Sequence, residues 1–358
     1  MQDLSRRKWL KAGLAGAVAA SGLGRRVAFA QPAPVTLRVA TWGGSWRDSL
    51  EKNLAGRLAA KGIKLQYVLG NPDDNIAKLV AARRQGQVAF DVMDFTPAQK
   101  QALVRAGLFE KLDYDRLPNA RDIFPWAREE SLVSVQYTGD AVVYNTDRLK
   151  QAGAVPPATY ADLNDPKVKS HLAIPEPSNG AHWSTVTALA YAGGGNEENM
   201  APAIKLINEI QPGYFYSSSP DLATKFGSDD VWLAPWQSGW GLRLLKSGKP
   251  VSVHYPRIGE HTGALWPIAQ GVVKGSPNVA AAHEFINEFL SFETQYGHGV
   301  DTGSLPMNGR ARAKLSEDAT MKSLLLLTDA QLDNAFRIDW DKLDPRRWRD
   351  MWNRGIKR

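Results

Sequence analysis

From Val35 onward the chain reads as strand, break and helix, then strand again, and this alternation restricts its fold more than any other feature. Val35–Thr41 alternates apolar and polar residues, Trp42-Gly43-Gly44-Ser45 interrupts it, and Leu50, Leu54 and Leu58 then recur at helical spacing through 46–61. A second strand follows at Ile63–Leu69, a helix at 75–84, a strand at 90–94, and a helix at 97–106 that Pro97 opens and Gly107 closes. Strands separated by crossover helices must lie largely parallel, with both faces of the sheet covered. Further on, Val133–Asn145 reads as a long strand. Short helices are expected at 160–163, 184–192 and 201–210, and strands at 171–175 and 230–234. A strand at 264–273 and an amphipathic helix at 279–290 precede sixty residues of helix and turn. At 358 residues the chain is long enough for two lobes.

The formal charge of +7 invites a nucleic-acid partner, but its distribution argues otherwise. Ser5-Arg6-Arg7-Lys8-Trp9-Leu10-Lys11 precedes an uncharged stretch rich in Ala and Gly at 12–23, too short to span a bilayer. Ala28-Phe29-Ala30 then offers small residues at the two positions a signal peptidase reads. The paired arginines resemble a twin-arginine export signal, with an ordinary Sec signal of basic start as the alternative; by either route residues 1–30 are expected to be removed and the mature protein to be periplasmic. Arg6, Arg7, Lys8, Lys11, Arg25 and Arg26 leave with Asp3, which takes five of the seven charges and leaves +2. Nucleic acid is therefore not an expected partner. The absence of cysteine excludes disulfides, thiolate metal sites, thiol nucleophiles and a lipidated N-terminal Cys, and no later stretch of twenty apolar residues occurs, so the mature chain is expected to be unanchored; it is also expected to act as a monomer. The C-terminal Arg346, Arg347, Arg349, Arg354, Lys357 and Arg358 alternate with Asp344, Asp350 and the anchors Trp348 and Trp352, as in a docked helix with solvated charges.

Neither phosphate-loop nor dinucleotide glycine patterns occur, the six histidines show no metal-ligand spacing, and no nucleophile elbow is present. No cofactor, metal or catalytic residue is expected. The distinctive residues are tryptophans near strand ends, where open α/β sheets bind ligands: Trp42, Trp46, Trp183, Trp236, Trp240 and Trp266. Converging aromatics make a cage for a cation or planar ligand; core packing is the alternative for each. Trp126 and Trp232 are assigned to the core. Gly43 and Gly44 allow close backbone approach and expose helix N-terminal amides to an anion. Asp94 at a strand end suits an ammonium or a helix cap, and His182 beside Trp183 suits the site or a cap.

Several segments together resemble a periplasmic solute-binding protein of an ABC importer, in particular the spermidine/putrescine-binding subgroup. They are Val35 to Trp46, Phe90-Asp-Val, 136–147 (Gln-Tyr-Thr-Gly-Asp-Ala-Val-Val-Tyr-Asn-Thr-Asp), and Trp266 through the Lys274-Gly-Ser-Pro turn to Leu290. The resemblance implies the two-lobed type II binding-protein fold of class α/β, each lobe a mostly parallel sheet flanked by helices, with the ligand cleft between them. Residues 31–136 plus 264–308 would form one lobe and 137–263 plus 309–358 the other. It also implies a non-enzymatic protein that closes on a small ligand by hinge motion and delivers it to permease subunits at the inner membrane. By resemblance, Trp42, Trp46, Thr96, Trp236 and Trp266 line the ligand cleft, and Gly43, Gly44, Asp94, Tyr137, His182, Trp183 and Ser238 complete the candidate set. Where polyamine binders carry acids, this chain has Ile268, Gly180 and Trp183, with only Glu176 nearby. An unpaired buried ammonium is costly, so a quaternary amine, an amino acid or a related zwitterion, or a planar organic acid, fits better than spermidine or putrescine. A sensing partner of a membrane receptor, or an enzyme on the same fold using Asp94 and His182, stays open as an alternative.

Overall fold

The computed structural model describes residues 34–357; the export signal expected at 1–30 lies outside the described residues. Twelve strands occur among the described residues: β1 (Val35–Thr41), β2 (Ile63–Leu69), β3 (Val92–Phe95), β4 (Val133–Asn145), β5 (Ala173–Pro175), β6 (Tyr214–Tyr216), β7 (Leu233–Gln237), β8 (Val251–His254), β9 (Arg257–Ile258), β10 (His261–Thr262), β11 (Ala264–Val272) and β12 (Leu305–Pro306). The main sheet runs β12-β4-β11-β3-β1-β2, and β7 and β8 pair with the far half of β4.

Its parallel part is the predicted one: β1 lies between β2 and β3, in register from Val35 opposite Ile63 to Thr41 opposite Leu69. Alternate residues of these strands serve opposite faces. Leu37, Val39 and Val92 join Leu50, Leu54, Leu58, Phe285 and Phe289 in one core, while Ala40 and Met93 join Leu79, Leu103 and Phe109 in another. The pairings of β11 with β3 and β4, and of β4 with β7, β8 and β12, are antiparallel, so the α/β fold is as expected but its main sheet is mixed and not mostly parallel. The first half of β4 pairs with β11 and β12 and its second half with β7 and β8, so one thirteen-residue strand ties both parts of the molecule together. A third core lies beyond it, built from Leu172, Ile174, Trp183, Leu189, Leu233, Trp348 and Trp352.

The helix expected at 46–61 is present as Ser45–Leu50, a π-turn Glu51–Ala55 and Gly56–Ala60. Strand β7 begins three residues later than expected and carries Trp236 within it, and the helix Ser238–Lys246 follows with no intervening loop. The helix Ser219–Gly227, where no element was expected, packs beside β6 and contributes Leu222 and Phe226 to the core. Trp126 departs from its core assignment: it sits in the short turn Pro125–Ala127, is 43% exposed, stacks on Phe124 at 5.3 Å and lies under the Arg337 guanidinium at 5.5 Å.

Candidate functional site

A cleft of about 800 Å³ lies where the C-terminal ends of β1, β3 and β7 meet the β4–β11 crossing. One wall carries Trp42, Gly43, Gly44 and Trp46, the helix start Asn71 to Asp74, and Thr96, Ala98 and Gln99. Pro177 to Gly180, Trp183, Gln237, Trp240 and Arg243 form the other wall, and Thr138, Trp266 and Ile268 form the floor.

The aromatic lining is held by specific contacts. Trp42 meets Trp46 edge to face at 5.1 Å, and the Trp46 ring in turn stands edge-on to His298 at 4.5 Å. The Trp46 indole N–H donates to Asp94 Oδ2 at 3.3 Å, which fixes how far that ring enters the cleft. Trp340 packs edge to face on both Trp183, at 5.9 Å, and Trp266, at 5.6 Å, and so orients the opposite wall and the floor together.

Below the wall, Asp94 is buried and accepts hydrogen bonds from the Thr41 hydroxyl, from Gln270 Nε2 at 2.6 Å and from Trp46. Burial pushes its carboxyl up to about 6 against the opposing pull of those donors. It supports the cleft from beneath and does not line it. Asp140, one β4 residue pair beyond Thr138, is also buried; burial pushes it up to about 7, with the Ser184 hydroxyl opposing.

Two cations line the cleft, Arg243 and Arg349, and Arg243 is the one without an ion-pair partner among the described residues. Its guanidinium lies over the Trp240 ring at 4.3 Å, and Trp240 stacks on Trp236 at 5.0 Å, which stacks on Phe226 at 5.8 Å. This column runs from the core to the cleft surface. Arg243 Nε–H donates to the Thr302 carbonyl at 2.9 Å. That contact needs the 302–303 turn close against the helix Ser238–Lys246: a Cβ on Gly239 would stand 2.8 Å from the Thr302 carbonyl oxygen, and Gly303 has φ of +70°. Burial lowers the Arg243 side chain to about 10, so it stays charged at neutral pH. Among the described residues no carboxylate lies within ion-pair distance of it.

Of the candidate residues, Trp42, Gly43, Gly44, Trp46, Thr96, Trp183 and Trp266 line the cleft together. Five do not. Tyr137 points to the other face of β4 and donates its hydroxyl to the Leu326 carbonyl at 3.1 Å. Trp236 is fully buried, its indole N–H donating to Ser219 Oγ at 3.0 Å. Ser238 is fully buried at its helix start, and Asp94 lies underneath as described. His182 is a packing residue: its Nδ1 meets the Pro175 carbonyl at 2.8 Å, and its Nε2 accepts the Trp348 indole N–H at 2.7 Å. That geometry fixes a neutral ring with the proton on Nδ1, and burial lowers its pKa to about 3.

Arg243, Thr138, Gln237 and Ser304 line the cleft without having been candidates. Arg243 left one trace in the sequence: it falls three residues after Trp240 on a helix that starts at a strand end, in a stretch with no acid from 231 to 249. Among the described residues no group of three or more His, Asp or Glu side chains is placed to hold a metal, and no helix is long and apolar enough to cross a membrane.

Residues 55–325 match the model of the bacterial extracellular solute-binding protein family. A Salmonella typhi periplasmic protein named for 2-aminoethylphosphonate binding is 25% identical over 243 residues, covering 66% of this chain and 67% of its own. The gamma-aminobutyric acid-binding protein of Pseudomonas aeruginosa is 23% identical over 323 residues, covering 87% and 88%. Among solved structures, an ABC transporter substrate-binding protein from Bradyrhizobium japonicum superposes with a TM-score of 0.75 at 20% identity, over 90% of this chain and all of that one, a likeness of fold. A two-lobed α/β binding-protein fold with an aromatic cleft, matched by this model over three quarters of its length, belongs to the bacterial extracellular solute-binding protein family.

Proposed function

We propose that the mature chain captures a small solute bearing an anionic group, in the manner of an amino acid or aminoalkyl acid, and delivers it to the permease of an ABC importer. The observation that carries this reading is Arg243: a half-buried guanidinium facing the cleft with no carboxylate partner among the described residues. A charge partly withdrawn from water without a counter-ion favours gaining one, and a ligand carboxylate or phosphonate provides it with bidentate geometry. A polyamine or quaternary amine would instead meet this cation. Trp42, Trp46, Trp183 and Trp266 supply apolar walls for the ligand body, and Asp74 at the rim favours an amino end. Both named relatives take their names from ligands joining an amine to an anionic group.

In this reading the lobes, 31–136 plus 264–308 and 137–263 plus 309–358, close by bending where β4 and β11 cross. No catalytic step is assigned: Asp94 and His182 are engaged in structural hydrogen bonds. Export of the mature chain to the periplasm by the twin-arginine route completes the reading.

The test is calorimetric titration of the mature protein with 4-aminobutyrate, 2-aminoethylphosphonate, putrescine and choline, repeated with Arg243→Met. Ligands with an anionic group should bind, and loss of a charge-assisted hydrogen bond worth about 1.5–3 kcal/mol should weaken them about 10- to 150-fold in the variant. Tighter binding of putrescine, or an Arg243→Met protein that binds the acids as well as wild type, would reject the reading.

A further inference from the structure

A polar bridge crosses the mouth of the cleft. Asp73 stands at the start of the helix Pro72–Arg84, on the wall built from β1 to β3. Its Oδ2 lies 3.8 Å from an Arg349 guanidinium nitrogen, and its Oδ1 accepts from Gln99 Nε2 at 3.0 Å. Gln99 in turn caps its own helix through Thr96, whose hydroxyl lies 2.5 Å from Gln99 Oε1. Asp73 is therefore held in place before Arg349 reaches it.

Arg349 comes from the opposite wall. Its helix, Pro345–Gly355, is fastened there by the Trp348 indole donating to His182 and by Asn208 Nδ2 donating to the Gly355 carbonyl at 2.8 Å. The guanidinium lies over Trp183 at 5.7 Å, so a cleft tryptophan orients it toward Asp73. A second crossing joins Gln101 Nε2, on the helix Pro97–Arg105, to Asp341 Oδ1. Both crossings end on the C-terminal segment, and both pull it toward the same wall.

We infer that the segment from Trp340 to Arg349 is a closing latch, in which the Asp73–Arg349 ion pair stabilises the shut cleft independently of any ligand contact. This rests on the hinge closure proposed above. The pair is half-exposed, with side chains 58% and 42% accessible, so its contribution is that of a surface ion pair. It sets a bias between open and shut, and ligand binding acts on top of that bias.

The chain contains no cysteine, so two labels can be placed without background. Spin labels at Arg84→Cys and Lys205→Cys, both exposed and away from the cleft, report the separation of the walls by pulsed electron resonance on ligand-free mature protein. Asp73→Asn, Arg349→Gln and the double variant should each raise the open-to-shut ratio by the same factor, about 1.5- to 5-fold. The charge swap Asp73→Arg with Arg349→Asp should restore it, and 1 M salt should mimic the single variants. Unchanged distances in the single variants, additive effects, or a swap that restores nothing would overturn the latch. As a control, Ala98→Trp wedges the cleft, since Ala98 lines it and packs against the opposite core. A wedge that lengthens the distance while the latch variants do not leaves the hinge standing and rejects the latch alone; a wedge that changes nothing rejects both.

Discussion

His182 decides between a ligand contact and a fastening of the C-terminal helix, and the substitution His182→Phe separates the two. The ring is fully buried and its two nitrogens satisfy the Pro175 carbonyl and the Trp348 indole N–H. Phenylalanine fills the volume and leaves both partners unpaired. Each buried orphan costs about 1–3 kcal/mol, so the variant should lose about 2–6 kcal/mol at pH 7.5. Urea unfolding of the mature protein measures this directly, as a fall in midpoint at constant slope.

The pH dependence adds a second signature. Burial lowers His182 to about 3, so between pH 6.5 and 3 the unfolded chain binds a proton there that the folded chain does not. Wild-type stability therefore falls with decreasing pH by about 1.4 kcal/mol per unit from this residue, and the variant lacks that loss. The gap between the two proteins should be widest above pH 6.5 and should narrow steadily below it. Ligand affinity of the folded variant should stay within about threefold of wild type. A variant with unchanged urea midpoint and ligand affinity reduced tenfold would return His182 to the binding site and refute the packing argument.

Two further outcomes follow from burial. Trp236→Ala empties the centre of the Phe226–Trp236–Trp240 stack, so it should cost about 3–5 kcal/mol in the same unfolding assay; a variant that unfolds like wild type but fails to bind would make Trp236 a cleft residue. Asp94, pushed up to about 6, binds a proton in the folded state between pH 4 and 6 that the unfolded chain has released, so its contribution to stability falls by roughly 3 kcal/mol as pH rises through that window. Asp94→Asn should remove that decline from the stability profile, and a profile with an undiminished slope would refute it.

Much of the architecture was legible because local pattern and burial agree. Val133–Asn145 reads as a strand in sequence and is one in the fold, and the alternation of Leu37, Val39 and Ala40 already announces a sheet covered on both faces. The segments that line the cleft were legible as well, but the facing residue within a segment was not. Tyr137 was a candidate and Thr138 lines the floor; Trp236 was a candidate and Gln237 lines the wall. Neighbouring strand residues point to opposite faces, so an error of one position exchanges cleft for core. His182 and Trp183 differ in the same way on a helix, where adjacent side chains diverge by about 100°.

The order of strands and helices, the aromatic content of the strand ends and the lack of any cysteine were determined by the sequence itself, since each depends on residues close together in the chain. Which tryptophans form the cleft was decided by tertiary structure, because the register of β4 against β11 pairs residues more than a hundred positions apart. The same holds for the cleft's charges. The acid-free stretch around Arg243 removes local partners but does not place it in the cleft, and nothing near Arg349 in sequence points to Asp73; the packing of Gly239 on the 302–303 turn and of Trp348 on His182 carries those guanidinium groups to the cleft and its mouth.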